Sequence, residues 1–258
     1  MHTSYPKIAF VSSKTEIAQS ALCDLVKRYG NYTPDNCDLL VALGGDGFML
    51  KIQLTYMSSG IPVYGMNKGT IGFLMNRYRK KNLLSRLDQA SRAIIHPLRM
   101  VAHDIFGKKH ESVAFNEVSL FRQSHQAARL RIHIDKKERM KALICDGVIV
   151  STPQGSTAYN LSVHGPILPM KAPLLALTPV SPFRPRNWNG ALLPNTVNIR
   201  ITILEPKKRL VNAVADNTEI KSALTVDIQE DREAYGIILF DPEHSWEERI
   251  LAEQFRYK

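Results

Sequence analysis

The chain has 258 residues, 44% of them hydrophobic and 22% charged, enough for one large domain or two modest ones with a real core. A formal charge of +10 suits a polyanionic partner, whether nucleic acid, an acidic membrane surface or a phosphate-rich nucleotide. The basic residues are dispersed, with short clusters such as Arg79-Lys80-Lys81 and Lys207-Lys208-Arg209, so charge alone selects none of these.

No stretch approaches the roughly 18 uncharged apolar residues that cross a bilayer. The N-terminus has no basic segment followed by a long apolar run, so a secretory signal is not expected. Cys23, Cys37 and Cys145 are odd in number and form no CxxC; they read as reduced thiols in a cytoplasmic protein.

In chain order, Ile8–Val11 predicts a strand. Ser13-Lys14-Thr15-Glu16 has capping-box spacing, with Ser13 as N-cap and Glu16 at the third helical position. Ile17, Ala18, Ala21, Leu22, Leu25 and Val26 continue at helical spacing until Gly30 stops the helix. Leu39–Leu43 predicts a buried strand, followed by a glycine turn and a helix carrying Phe48, Leu50, Leu54 and Met57. Ile61–Tyr64 predicts another strand, and Leu83, Leu84 and Leu87 another helix. Continuous apolar strands alternating with helices imply a parallel sheet covered on both faces.

From about Leu98 the pattern changes. Leu130, Ile132 and Ile134 alternate with Arg131, His133 and Asp135; Val197, Ile199, Ile201 and Ile203 alternate with Asn198, Arg200 and Thr202. A period of two marks half-buried antiparallel strands. The expected organisation is an α/β domain over residues 1–97, a mainly β domain over 98–235, and a terminal segment over 236–258. That segment holds the apolar run Gly236–Phe240 and a helical stretch near Trp246–Gln254.

The strongest local signal is Gly44-Gly45-Asp46-Gly47, between a buried strand and a helix. Glycines allow a sharp turn and close backbone approach, and the helix start offers N–H groups and a positive dipole end to phosphate. The acid opposes simple anion binding unless it has another task, such as holding Mg²⁺ or accepting a proton from an attacking hydroxyl. An ordinary N-cap in a tight turn is the alternative. No GxxxxGK[ST] occurs, and Gly45–Leu50 starts like GxGxxG but places Leu50 at the third glycine and an acid where pyrophosphate would sit. A Rossmann dehydrogenase is therefore disfavoured.

Asn67–Leu74 is a glycine-punctuated loop after a strand, in which Phe73 either stacks on a base or fills core. Asn116 and Glu117 interrupt an apolar run; in a strand they face opposite sides, so one turns inward unless the pair lies at a solvated edge. An Asn can both donate to and accept from an adenine edge, and an ionised Glu can accept from a ribose hydroxyl. From Cys145-Asp146-Gly147 through Ser162 to Gly165-Pro166 the chain is rich in hydroxyls and glycines, suited to a sugar–phosphate ligand lying across a loop and a helix start. Taken singly, Ser156, Thr157 and Ser162 are caps and turns, and His164 has no distinctive spacing.

In this order, the turn at 44–47, the NxGxxGFL loop at 67–74, Asn116-Glu117 and the run at 146–166 resemble the NAD kinase family. Gly165–Pro169 and Pro182-Phe183-Arg184-Pro185-Arg186 resemble its bacterial branch. The resemblance implies transfer of the γ-phosphoryl group of ATP to the 2′-hydroxyl of the adenosine ribose of NAD, forming NADP, with Mg²⁺ or another divalent cation. It implies an α/β domain and an antiparallel β-sandwich-like domain with NAD between them, and a terminal segment returning to the first domain. It also implies a homodimer or homotetramer, with neither nucleic acid nor membrane as partner.

Residue by residue, Asp46 matches the family's catalytic acid, which activates the 2′-hydroxyl or helps manage Mg²⁺. Gly44, Gly45 and Gly47 match the phosphate-binding turn for ATP, and Asp46 and Gly47 also border NAD. Phe73, Asn116, Glu117, Thr157, Ala158 and Ser162 match the adenosine contacts; Asp146, Ala158 and Tyr159 match the nicotinamide contacts. Many members carry Asp-Gly-Gln where this chain has Asp216-Asn217-Thr218-Glu219, so residues after Asp216 are left out of the expected site. Gln154 stands where a small residue is common. A lipid or sugar-phosphate kinase sharing the glycine-acid turn, and a binding protein without turnover, are the competing readings.

Overall fold

An apolar run without polar alternation needs cover on both faces, and the first strands have it. β1 (Ile8–Ser12) buries Ile8, Ala9 and Phe10, and β2 (Leu39–Gly44) is buried along its whole length. Between them lies helix α1 (Glu16–Tyr29). Helix α2 (Asp46–Thr55), β3 (Val63–Asn67), helix α3 (Leu83–Gln89) and β4 (Ser91–Ile95) follow. The computed structural model describes residues 6–69, 72–244, 248, 249, 251 and 255. Its contacts form two compact units, Met1–Ile95 with Glu233–Lys258, and His96–Arg232.

The capping box expected at Ser13 does not form. The Ser13 N–H donates to Leu43 O at 2.9 Å, which prolongs the alignment of β1 with β2. The helix therefore starts only at Glu16, with Thr15 as N-cap and no side-chain cap bond. Ala18, Ala21 and Leu25 form its buried stripe, flanked by Leu22 and Val26, while Ile17 is 64% exposed. Gly30 closes the helix with φ 74°. Two other boundaries also move: Met57 lies beyond the end of α2, and β3 starts after Pro62.

The second unit contains β5 (Leu98–Asp104), β6 (Lys109–Ala114), β7 (Glu117–Arg122), β8 (Ala128–Ile134), β9 (Lys137–Cys145) and β10 (Gly147–Ser151). After the short helix α4 (Tyr159–Ser162) come β11 (Leu174–Val180), β12 (Ala191–Pro194), β13 (Ile199–Ile203), β14 (Val211–Ala215), β15 (Thr218–Ile220) and β16 (Ala223–Glu230). They build two six-stranded sheets, β12-β11-β10-β7-β14-β15 and β6-β5-β16-β13-β8-β9. Leu130, Ile132, Ile199 and Ile201 of one sheet share a core with Val118, Leu120, Val148 and Ala213 of the other. Each Leu, Ile or Val side chain buried there contributes roughly 1.5–3 kcal/mol, which holds the inner faces of an antiparallel sandwich together.

The chain then re-enters the first unit. β17 (Gly236–Phe240), buried throughout, lies between β3 and β4 and completes the order β1-β2-β3-β17-β4. It runs parallel to β3 and antiparallel to β4, so the sheet is parallel with one antiparallel edge strand. Buried amides fasten the inserted strand: Gln53 Nε2 donates to Ile237 O at 3.0 Å, and Asn76 Nδ2 to Leu239 O at 2.9 Å. Most of the helical stretch expected near Trp246–Gln254 lies outside the described residues.

Candidate active site

Strand β2 delivers its last residue, Gly44, to the edge of a turn, and Gly45 is the N-cap of α2. Asp46 is thus the first helical residue, and the N-cap alternative for it does not hold. Its carboxylate reaches instead to the loop after β3. The Phe73 N–H donates to Oδ2 at 2.7 Å and the Leu74 N–H to Oδ1 at 3.0 Å. Gly72 permits this approach, since a Cβ there would stand 2.8 Å from Asp46 Oδ1. The Lys68 N–H donates to Gly44 O at 2.7 Å and ties the two loops together.

Burial pushes the Asp46 carboxyl above its ordinary range; the two N–H groups and the Arg249 guanidinium oppose that shift. An ionised carboxylate has about four acceptor positions, so two N–H groups leave room for a hydroxyl. A Cβ added at Gly47 would meet no atom within 4 Å, so the backbone on that side of the turn is open to a ligand. Phe73 is half-buried; Thr70 and Ile71 of the same loop lie outside the described residues.

In the second unit, Asn116 and Glu117 do not share a strand as expected. β6 ends at Ala114, Phe115 and Asn116 form a bend, and Glu117 opens β7. The cause is Asp216, which sits in the left-handed region (φ 47°) just after β14. Its carboxylate accepts the N–H groups of Phe115 (2.7 Å), Asn116 (3.0 Å) and Glu117 (3.3 Å). The other side of the bend is held by the loop after β10. Thr152 Oγ1 donates to Phe115 O at 2.6 Å, and Gln154 Nε2 donates to Phe115 O at 2.7 Å and His96 O at 3.1 Å. Gln154 therefore serves as a brace at a position where a small residue was expected. Gly155 allows the loop to close, because a Cβ there would lie 2.1 Å from Asn116 O.

With the bend fixed, Asn116 Oδ1 and Glu117 Oε2 are buried without a hydrogen-bond partner among the described residues. Leaving a buried polar atom unpaired costs about 1–3 kcal/mol, so such atoms mark places where a ligand's polar groups are accepted. Burial, and secondarily the Asp216 charge, push the Glu117 carboxyl up to about 8. Asp216 is raised by burial as well, against its three N–H partners.

Thr157 closes the buried 3₁₀ turn Gln154–Thr157, half-buried Ala158 links it to α4, and Tyr159 and Ser162 bound α4. Ser156 is structural: its hydroxyl donates to Pro153 O at 2.6 Å and accepts from Leu168 N–H at 2.9 Å. Asp146 pairs with Arg122 at 2.6 Å, and the Tyr159 ring stacks on Phe121 with centroids 5.4 Å apart. Phe121 and Arg122 end the strand that Glu117 begins, roughly 13–17 Å away at strand rise. The structure thus gathers Gly44, Gly45, Asp46, Gly47 and Phe73 in one unit. In the other it places Asn116 and Glu117 at one end of β7, and Asp146 and Tyr159 at the opposite end.

Two residues at these places were not read from the sequence as site residues. Asp216 gave only the signal of the acid kept from the Asp-Gly-Gln of many family members, with no role attached to it. Arg249 lies in the charged string Glu247-Glu248-Arg249, which reads as solvated surface. Among the described residues, no group of three or more His, Cys, Asp or Glu side chains could hold a metal ion.

Residues 4–93 match the family model described as the ATP-NAD kinase N-terminal domain, and residues 115–239 match the ATP-NAD kinase C-terminal domain. The NAD kinase of Rhizobium meliloti (strain 1021) is 56% identical over 255 residues, covering 99% of each chain. That of Brucella suis biovar 1 (strain 1330) is 57% identical over 248 residues, covering 96% of each. Among solved structures, yeast NADH kinase complexed with NADH superposes with a TM-score of 0.83 at 21% identity, over 100% of this chain and 90% of that one. An NAD kinase from Archaeoglobus fulgidus in complex with ATP gives 0.72 at 21% identity, over 92% and 95%. Those two share the fold, and the closer sequence relatives decide the kinship: the chain belongs to the NAD kinase family.

Proposed function

We propose that this protein transfers the γ-phosphoryl group of ATP to the 2′-hydroxyl of the adenosine ribose of NAD, yielding NADP and ADP. The observation that carries the chemistry is the Asp46 carboxylate, fixed by two backbone N–H groups beside a glycine turn, with acceptor capacity to spare. Asp46 accepts the proton of the 2′-hydroxyl as its oxygen bonds to the γ-phosphorus. The bond from that phosphorus to the bridging oxygen breaks, and ADP leaves with the electron pair. Such a transfer relies mainly on positioning and charge stabilisation. Gly44, Gly45 and Gly47 let the donor phosphates approach the start of α2.

We assign adenosine recognition to Asn116 and Glu117, supported by their unpartnered buried oxygens. Asn116 Oδ1 accepts from an amino group on the base, and Glu117 Oε2 meets a ribose hydroxyl. Thr157, Ala158 and Ser162 of the same unit, and separately Phe73 of the first unit, are assigned to the adenosine part as well. Asp146 and Tyr159, with Ala158, take the nicotinamide end; their distance from Glu117 along β7 supports a long ligand with two recognised ends. Mg²⁺ or another divalent cation would arrive on the donor's phosphates and neutralise their charge. Magnesium is ordinarily held by substrate phosphates and few protein carboxylates.

The free thiols Cys23, Cys37 and Cys145 support a cytoplasmic setting. Family membership supports a homodimer or homotetramer, which light scattering of the purified protein tests. The function is tested by incubating the protein with NAD, ATP and Mg²⁺ and reading NADP with an NADP-specific dehydrogenase. NADP from wild type and far less from Asp46→Asn is the expected result. No NADP from folded wild type would redirect the search to polyphosphate as donor, then to lipid and sugar-phosphate acceptors.

A further inference from the structure

Arg249 is turned into the first unit. Its Nη1 donates to Phe73 O at 2.7 Å and to Met75 O at 2.6 Å, and Nη2 lies 3.5 Å from Asn76 Oδ1. Its guanidinium also stands over the Phe240 ring, 5.4 Å from the centroid. A half-buried guanidinium is costly to desolvate, and that desolvation pushes it below its ordinary range. Asp46, Asp241 and Tyr64 oppose that shift, and Arg77 adds to it. Arg86 and Tyr64 already bind the Asp241 carboxylate, each at 2.5 Å.

The carbonyls that Arg249 grips are the informative part. Phe73 O and Leu74 N–H belong to one planar trans peptide, so they point in opposite directions. Arg249 holds the oxygen side of that peptide, and Asp46 Oδ1 holds its N–H side. The preceding peptide supplies the Phe73 N–H to Asp46 Oδ2. Both carbonyls are held by the one nitrogen Nη1, whose two N–H groups lie fixed in the guanidinium plane, whereas those of a lysine ammonium rotate freely. Hydrogen bonds linked through one peptide also polarise one another.

We propose that Arg249 is a positioning residue for phosphoryl transfer: it braces Phe73–Asn76 from behind and, through the Phe73–Leu74 peptide, sets the Asp46 carboxylate at the reacting hydroxyl. The proposal rests on the role given to Asp46 above. Among the described residues, neither the glycine turn nor the loop after β3 contains a cation placed on these carbonyls, so the terminal segment supplies a part that the local motifs lack.

The test compares wild type, Arg249→Met, Arg249→Lys, Asp46→Asn and the double variant Asp46→Asn with Arg249→Met. Thermal unfolding and amide exchange at Phe73 and Leu74 are measured alongside NADP formation. Misplacing a reacting group by about an ångström costs on the order of 100-fold in rate. Arg249→Met should therefore lose roughly 10- to 100-fold in kcat, with a smaller change in the KM for ATP. Arg249→Lys should recover part of the loss. In the Asp46→Asn background, Arg249→Met should cost little more, because both act through one carboxylate. Faster exchange at Phe73 and Leu74 should accompany Arg249→Met.

Turnover within twofold of wild type for folded Arg249→Met, or losses that multiply fully in the double variant, would overturn the proposal. So would unchanged exchange at the two amides. Wild type that forms no NADP defeats the assigned reaction instead, and the exchange measurement still decides whether Arg249 braces the loop.

Discussion

Asp46 in the first unit and Asp216 in the second are both half-buried carboxylates that accept backbone N–H groups of consecutive residues, two in one case and three in the other. Their settings differ. Asp216 lies under a bend that also receives Thr152 and Gln154 from the opposite side, so it joins a fully braced loop. Asp46 stands beside Gly47, where the backbone faces open space. Glu117, next to the braced bend, has a buried oxygen with no partner among the described residues. The difference teaches how to separate partly buried acids by what they bind. An acid enclosed by the chain shapes the backbone, whereas one with free capacity beside open space, or with no partner, is available to a ligand.

The sharpest way to break this comparison is Asp46→Asn. A well-placed general base contributes about 10²- to 10⁴-fold, so the variant should lose that much in kcat while its circular dichroism stays native. A variant turning over near the wild-type rate would remove Asp46 from the chemistry. Asp216→Ala should act in the opposite sense, chiefly on stability. It strips three N–H groups of their acceptor and places a Cβ-bearing residue without a carboxylate at φ 47°. A loss of about 3 kcal/mol or more is expected from urea unfolding. An unchanged midpoint would mean that the bend holds itself.

Asn116→Ala sharpens the ligand side. Removal of one buried acceptor for the adenosine part should raise the KM for NAD about tenfold, with a smaller effect on the KM for ATP. Equal effects on the two substrates would count against an adenosine contact.

The unpartnered acid can also be read through pH. Glu117 is pushed from 4.5 to about 8 by burial, so the folded protein holds this proton over a range where the unfolded chain has released it. Between those values the folded state binds more protons, and stability falls as pH rises. Wild type should lose more stability than Glu117→Gln between pH 5 and pH 8, by up to about 3 kcal/mol. Parallel urea midpoints for the two proteins across that interval would show that Glu117 is already ionised in the fold.

Much of the fold was legible because its signals are local. Uninterrupted apolar runs at Leu39–Leu43 and Gly236–Phe240 and strict alternation at Leu130–Ile134 report how many faces a strand buries. The errors arose where a long-range partner competed with a local one. Ser13 had capping-box spacing, but Leu43 O captured its N–H first. Asn116 and Glu117 looked like strand neighbours, but Asp216 drew their N–H groups into a bend.

The sequence by itself determined the two grammars of the chain, the glycine-acid turn and the order of motifs that marks the family. Each depends on residue spacing over a few positions, and spacing is read directly from the chain. Only the tertiary structure decided where β17 enters the sheet and which peptide groups hold Asp46. It alone placed Asp216 beneath the Asn116 bend and Arg249 behind Phe73. Those contacts join residues 27, 100 and 176 positions apart. Buried polar groups must find partners, but which ones they find is set by packing, and no local period records it.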